Sequence, residues 1–392
     1  MESLSNIIGK RTVGVVGVGK WGKHLVQTVS LHSLHPMLQS DPVRAKTEPN
    51  FPHVPLDELT ERADIIFLSA PLDAIPGIIL EMRAKLRPNQ IVIDIGSSKE
   101  GFINLVQEID SNDGTALFGS IHPMTGVPPD PPSLRGQNGI ICPVSERSKE
   151  ADMIGEAFFR SQEMTIHWMQ AEVHDRLMRP IQGMPHFLQV AGCVAIGSGL
   201  SDGHTVDDLD RLCSPNSELF MLSVGRGMTL DAHLQASLIA NMASSKEGKS
   251  ELEQVIVSMQ RILELAQHDK DRPKEERKLP AFIEDARDRL DPQKIWRTRM
   301  RAKTNTIIVR LGNIRKKSLH LTARKDHIGL LENICAILAH HGIDLNAIDS
   351  LPSKNGMEFE LGRKDKALVD ISRLASDLDA IDVLLAETDI QQ

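Results

Sequence analysis

The sequence predicts an α/β protein: an amino-terminal doubly wound parallel sheet, an all-helical second domain and a small carboxyl-terminal sandwich. Three observations predict it. From residue 10 to about 145, short apolar runs ("TVGVVGVG", "HPMLQSD", "ADIIFLSAP", "NQIVIDIG", "ALFGSIHP", "NGIICPV") alternate with helix-length segments, as strands buried on both faces do. From about 150 to 268 long helical periods take over, among them "HLQASLIANMASS" and "SELEQVIVSMQRILELAQH", with almost no strand pattern. In the last part, "SLHLTARKD", "IGLLENICAILAHHG", "IDLNAIDSL", "MEFELGR", "ALVDISRLASDLDA" and "IDVLLAE" read β-α-β-β-α-β over about 75 residues, a ferredoxin-like sandwich with the turn "SKNG" between its middle strands.

Size and composition agree with several globular domains. A chain of 392 residues, 41% hydrophobic and 25% charged, can bury two or three cores. Its formal charge of -8 repels polyanions, so nucleic acid is not expected as a partner. Cys142, Cys193, Cys213 and Cys335 lack ligand spacing, which predicts buried thiols in a reducing compartment and no metal. No apolar run reaches the roughly 18 residues of a membrane span, and the amino terminus has no apolar leader, so a cytoplasmic protein without membrane contact is expected. There is no tyrosine and only 3% aromatic residues, so the cores must rest on aliphatic side chains.

The first element carries a dinucleotide signature. "VGVVGVGKWGKHLVQTV" places Gly17, Gly19 and Gly22 in G-x-G-x-x-G spacing between a strand and an amphipathic helix, so that Rossmann-like binding of a pyrophosphate is expected over Gly17, Val18, Gly19, Lys20, Trp21 and Gly22. Asp41 ends the second strand, where a carboxylate accepts from adenosine ribose hydroxyls and favours NAD; Arg44 leaves NADP possible. The third strand ends in Ser69–Leu72, so Ala70 and Pro71 face the same ligand edge. The fourth and fifth strands end in "IDIGSSK" and "FGSIHPMTG", bringing Ser97 and His122 to that rim. Each alone would pass for a turn former. Pro123 restricts His122 to extended backbone, and Gly119 and Gly126 are expected to turn the chain sharply on either side.

The elements divide the chain into 1–148, a dinucleotide-binding domain; 149–268, an all-helical domain, for which the resemblance stated below implies dimerisation and substrate binding; 269–315, a charged helical linker; and 316–392, the sandwich. The linker is dense in both charges and broken by Pro273, Pro280 and Pro292, which marks solvated helices.

At "VGVGKWG", "DIGSSKEG", "HPMTG", "MPHFLQVA" and "CSPNSELFMLSVGR" the chain resembles the prephenate and arogenate dehydrogenase family, over roughly residues 10 to 265. The resemblance implies an NAD-dependent oxidative decarboxylation of prephenate to 4-hydroxyphenylpyruvate in tyrosine biosynthesis, by a homodimer acting on a small-molecule substrate. Arogenate and the 4-amino analogue are the alternative substrates. It also implies residue roles: His122 as the base that takes the substrate hydroxyl proton, Ser97 as a group that orients the histidine or the hydroxyl, His186 as a lining residue and Arg226 as the holder of a substrate carboxylate. Glu218 stands where some relatives have an arginine, which bears on prephenate preference. The sequence shows no helical extension before residue 10, so a fused chorismate mutase is not expected.

The carboxyl-terminal unit resembles an ACT domain, with "IDSLPSKNGMEFEL" similar to an effector-binding segment. This implies feedback by an aromatic amino acid at Gly329, Leu330, Asp349 and Ser350, although Asp349 and Leu351 replace the Glu and Arg of that segment. A dimerising module that binds nothing is the alternative. Two further readings of the whole chain stay open: a hydroxyacid or imine dehydrogenase, against which the helix around Arg226 lacks an obvious lysine, and a non-catalytic sensor of dinucleotide and amino acid.

Overall fold

In a computed structural model the protein is described over residues 3–388, apart from 49, 114–115, 128–132, 201–202, 315–317, 326, 354–355 and 364–369. Two sheets form among these residues. The first has seven strands, β1 (Val13–Val16), β2 (Leu38–Ser40), β3 (Ile65–Leu68), β4 (Ile91–Asp94), β5 (Leu117–Pro123), β6 (Asn138–Ile141) and β7 (Thr165–Trp168), in the order β2-β1-β3-β4-β5-β6-β7. Strands β1 to β5 run parallel. The order reverses between β1 and β3, and that reversal opens a crevice at the carboxyl ends of the strands.

β1, β3 and β4 are buried at every position, as parallel strands covered on both faces must be. One face sets Val13, Val15, Phe67 and Ile93 against Leu25 and Val29 of helix Lys20–Ser30 and against Phe158 and Phe159 of helix Lys149–Ser161. The other sets Val16, Ile66, Val92 and Phe118 against Leu59, Ile79, Val106 and Met178, which come from four separate helices.

Two features depart from the sequence expectation. β6 runs antiparallel to β5, and among the described residues no helix lies between them. The sheet also continues to Trp168, beyond the expected boundary at 148, through β7 parallel to β6. β7 is an edge strand whose Thr165, His167 and Trp168 are exposed, so it has no buried apolar run to betray it. The prolines that follow Val127 in the His122 loop (positions 128, 129, 131 and 132) lie outside the described residues.

The second sheet comprises β8 (Ser318–Ala323), β9 (Leu345–Ser353), β10 (Gly356–Arg363) and β11 (Val383–Thr388), antiparallel throughout in the order β11-β8-β10-β9. With helices Leu330–His340 and Ile371–Asp379 it forms the expected β-α-β-β-α-β sandwich around Leu321, Ile334, Leu338, Phe359, Leu361, Leu374 and Val383. Gly342 has φ +69 just after the first of these helices, the left-handed stop its position predicts. Of the turn "SKNG", Lys354 and Asn355 lie outside the described residues.

The chain falls into two compact units, residues 1–191 with 229–250, and residues 192–228 with 251–392. The charged segment forms helices Leu279–Leu290 and Ile295–Ile314 in the second. Among the described residues no helix is long and apolar enough to cross a membrane.

Candidate active site around His122

The glycine turn has the shape its spacing predicts. Gly17 has φ +82, and a Cβ there would lie 2.6 Å from Ser69 O and 2.7 Å from Ala70 N, so the loop after β3 sits directly against the turn. A Cβ on Gly22 would lie 2.1 Å from Gly17 O, which accounts for the third glycine. Gly19 is exposed and would meet nothing within 4 Å. It begins helix Lys20–Ser30 with no side-chain cap, leaving first-turn N–H groups to an anion approaching over that glycine. Val18, Lys20 and Trp21 supply the backbone of this cradle. Trp21 also ties it to the His122 loop: its Nε1 donates to Thr125 O at 3.2 Å, three residues beyond His122.

Asp41 follows β2 and reaches the turn. Its Oδ2 accepts from Val18 N at 2.8 Å, and its Oδ1 accepts from Val43 N and Arg44 N, capping helix Pro42–Thr47. A carboxylate offers about four acceptor positions, so Asp41 retains room for a ribose hydroxyl. Arg44 also reaches the turn, its Nη1 donating to Val18 O at 3.4 Å. Its Nε donates to Glu48 at 2.8 Å and its guanidinium lies 4.3 Å from the Phe51 ring centroid.

His122 is 4% exposed near the end of β5. Its Nδ1 lies 2.8 Å from Nε2 of His174, and Nδ1 of His174 lies 2.6 Å from Oδ1 of Asp175. On its other side, His122 Nε2 lies 3.3 Å from the Gln182 amide nitrogen. Asp175 is held in turn by the segment after β4: it accepts from Lys99 N at 2.9 Å, from Glu100 N at 3.0 Å and from Ser98 Oγ at 3.0 Å. The carboxylate thus caps helix Glu100–Asp113 while binding the histidine pair. Gly119 does not turn the chain as expected; it lies within β5, where a Cβ would come within 2.9 Å of the Ala151 methyl, so it serves close packing of helix on strand.

Beneath this relay lies a second buried pair. Lys99 Nζ donates to Asp94 Oδ2 at 2.6 Å, and both side chains are essentially inaccessible. Such a pair offsets its own desolvation only while both members are present. Burial first, then the Lys99 ammonium and the neighbouring His174, hold the His122 pKa well below the ordinary histidine value. Burial alone would raise Asp175, but hydrogen bonds from His174 and from the Lys99 and Glu100 N–H groups outweigh it and hold the carboxyl below the usual range. Cys142, the residue after β6, is pushed up to about 12 chiefly by burial and remains a thiol.

The other expected residues are distributed as follows. Ser97 is half-buried three residues after β4, one position before the serine that reaches Asp175. His186 stands four residues after Gln182, on helix Met184–Gly199, which follows a widened turn at Arg179–Gly183. Pro180 contributes no N–H to that turn, which explains the local loss of regular helix. Arg226 is exposed on helix Pro215–Thr229 and belongs to the other compact unit. In the sandwich, Gly329 has φ +88 at the head of its helix, Leu330 is buried in the core, Ser350 is exposed, and the Asp349 backbone lies opposite Glu360 in the register of β9 and β10.

Sequence reasoning missed Lys99, His174, Asp175 and Gln182. A signal for His174 was present: Ala171, His174 and Met178 are the buried positions of one short helix, so a histidine occupies the middle of an apolar stripe.

A family model for the prephenate dehydrogenase nucleotide-binding domain matches residues 46–157. A curated protein of Methanocaldococcus jannaschii named "Probable arogenate/prephenate dehydrogenase" is 26% identical over 184 residues, covering 46% of this chain and 39% of that protein. The chain therefore spans about two fifths of that relative's length. A Corynebacterium glutamicum structure named "putative prephenate dehydrogenase" shares the fold with TM-score 0.52 at 15% identity, covering 76% of this chain and 89% of that one. A prephenate dehydrogenase of Aquifex aeolicus, solved with hydroxyphenyl propionate and NAD+, aligns with TM-score 0.49 at 17% identity over 72% of this chain and 98% of that one.

Proposed function

Since the chain belongs, through its nucleotide-binding domain, to the prephenate/arogenate dehydrogenase family, we propose that it is an NAD-dependent dehydrogenase that oxidatively decarboxylates prephenate. The observation that carries this reading is a buried histidine whose loop is tied to the glycine turn by the bond from Trp21 to Thr125. The turn fits a dinucleotide: Gly17 to Gly22 would hold the pyrophosphate, with Ala70 and Pro71 along its edge and Asp41 on the ribose. Pairing of Arg44 with Glu48 favours NAD over its 2′-phosphate relative. When bound, NAD accepts the hydride that leaves C4 of the substrate ring.

The side chains manage the rest of the charge. As C4 is oxidised its hydroxyl becomes a carbonyl and sheds a proton, which the neutral imidazole of His122 accepts. Loss of the ring carboxylate as carbon dioxide then leaves its bonding pair to the ring, which becomes an aromatic phenolate, and the proton held by His122 returns to that oxygen to give the phenol. Arg226 is assigned to a substrate carboxylate, as a planar and permanently charged fork suits. His186 and Ser97 line the remaining wall, and the carboxyl-terminal sandwich is read as an ACT module that takes an aromatic amino acid. The working form is read as a homodimer.

The purified protein with NAD and prephenate should yield NADH and 4-hydroxyphenylpyruvate; absence of NADH with prephenate, arogenate and the 4-amino analogue alike ends the reading. His122→Asn should lower kcat by about 10²–10⁴-fold with little change in KM. Arg226→Ala should chiefly raise KM, and the reverse pattern would overturn the two roles.

A further inference from the structure

The hydrogen bonds around His122 form a chain whose direction can be derived from one end. Asp175 receives two backbone N–H groups and the Ser98 hydroxyl, and an N–H can only donate, so the carboxylate is an ionised acceptor. His174 Nδ1, 2.6 Å from Oδ1, must therefore carry a proton. A neutral His174 then has a bare Nε2, and the nitrogen 2.8 Å from it, His122 Nδ1, must be the donor. That leaves the lone pair of His122 on Nε2, facing Gln182, which can donate to it through its amide nitrogen.

We propose that His174 and Asp175 are positioning residues that lock His122 in the Nδ1–H tautomer, so that Nε2 is the nitrogen that takes the substrate proton. The role of that nitrogen rests on the dehydrogenase reading above; the tautomer itself does not. The logic is that of the serine-protease triad, in which a buried carboxylate fixes the imidazole tautomer, here extended by one imidazole. A cationic His174 would reverse the chain, since its Nε2–H would then donate to His122 Nδ1 and move the His122 proton to Nε2. His174, which is fully buried, is taken as the neutral imidazole, and the measurement below reads its protonation directly. The other groups facing the relay, Asp94 and Cys142, are respectively paired with Lys99 and held as a thiol.

The test is ¹⁵N imidazole NMR of the full-length protein without substrate, with His122 assigned from the signals lost in His122→Asn. The expected result is a protonated Nδ1 and bare Nε2 on both His122 and His174. A protonated Nε2 on His122, or a doubly protonated His174, overturns the proposal whatever the activity, and failure to oxidise prephenate with the expected tautomers present would sink only the substrate reading. Asp175→Asn should mix the His122 tautomers and lower kcat by on the order of 10²-fold or more, with KM little changed; Asp175→Glu should restore the Nδ1–H signal in part. A merely structural role for Asp175 predicts lower Tm in Asp175→Asn with the tautomers intact, which would also overturn the proposal. Ser98→Ala weakens the same helix cap and should leave the tautomers alone. Should Asp175→Asn fail to fold, His174→Phe serves instead: it removes the Nδ1 acceptor and should shift His122 toward Nε2–H, and an unchanged tautomer refutes the role.

Discussion

An unperturbed imidazole loses its proton-accepting form below about pH 6.5. The surroundings move that limit. Burial and the nearby Lys99 charge disfavour the imidazolium, so the neutral, proton-accepting form persists as pH falls past 6.5 and is lost only at lower pH. The acidic limb of kcat/KM should accordingly lie below 6.5, and a limb above that value would contradict the buried site. Asp152 shows the opposite shift. It is 5% exposed, its Oδ1 makes no hydrogen bond to the described residues, and burial raises its pKa to about 7. Between the unfolded value of 3.8 and about 7 the native state holds the extra proton, so stability falls as pH rises through that window and the full cost of the buried charge is felt above it. Asp152→Asn should therefore raise Tm more at pH 8 than at pH 5, and an equal change at both would show that ionisation is not the cause.

The elements differ in how far their own residues announce them. The glycine turn is a local matter: φ at Gly17 and the approach of Gly22 to Gly17 O are set within six residues, so spacing alone reveals it. Gly22→Ala puts a methyl against backbone that cannot give way, and should weaken NAD binding at least tenfold by calorimetry as well as lower Tm. An undiminished affinity would separate the turn from dinucleotide binding. β7 is the contrary case, an exposed edge strand whose place is dictated by pairing with β6 rather than by its own pattern. The relay is hidden for a related reason. His122, His174 and Gln182 are spread over 60 positions and meet only because helix Ala171–Met178 lies over the ends of β4 and β5. Ser97 could be picked out by its place at a strand end, whereas Ser98 was found only through its hydrogen bond to Asp175.

At the scale of the molecule, the carboxyl-terminal sandwich poses the question of regulation. If it takes an aromatic amino acid, tyrosine or phenylalanine should raise Tm by an amount that grows with the logarithm of ligand concentration. No shift with either would leave the sandwich as an assembly module. The order of sheets and helices was legible from the amino-acid sequence because periodicity, glycine spacing and buried apolar runs are properties of contiguous residues. By itself the sequence determined the class of fold, the dinucleotide turn and His122 as the titratable group of its loop. Only the tertiary structure decided what surrounds that histidine: the ion pair of Lys99 with Asp94 beneath it and the chain through His174 to Asp175. The physical reason is that burial and hydrogen-bond direction depend on groups brought together from distant segments, and no local pattern encodes either.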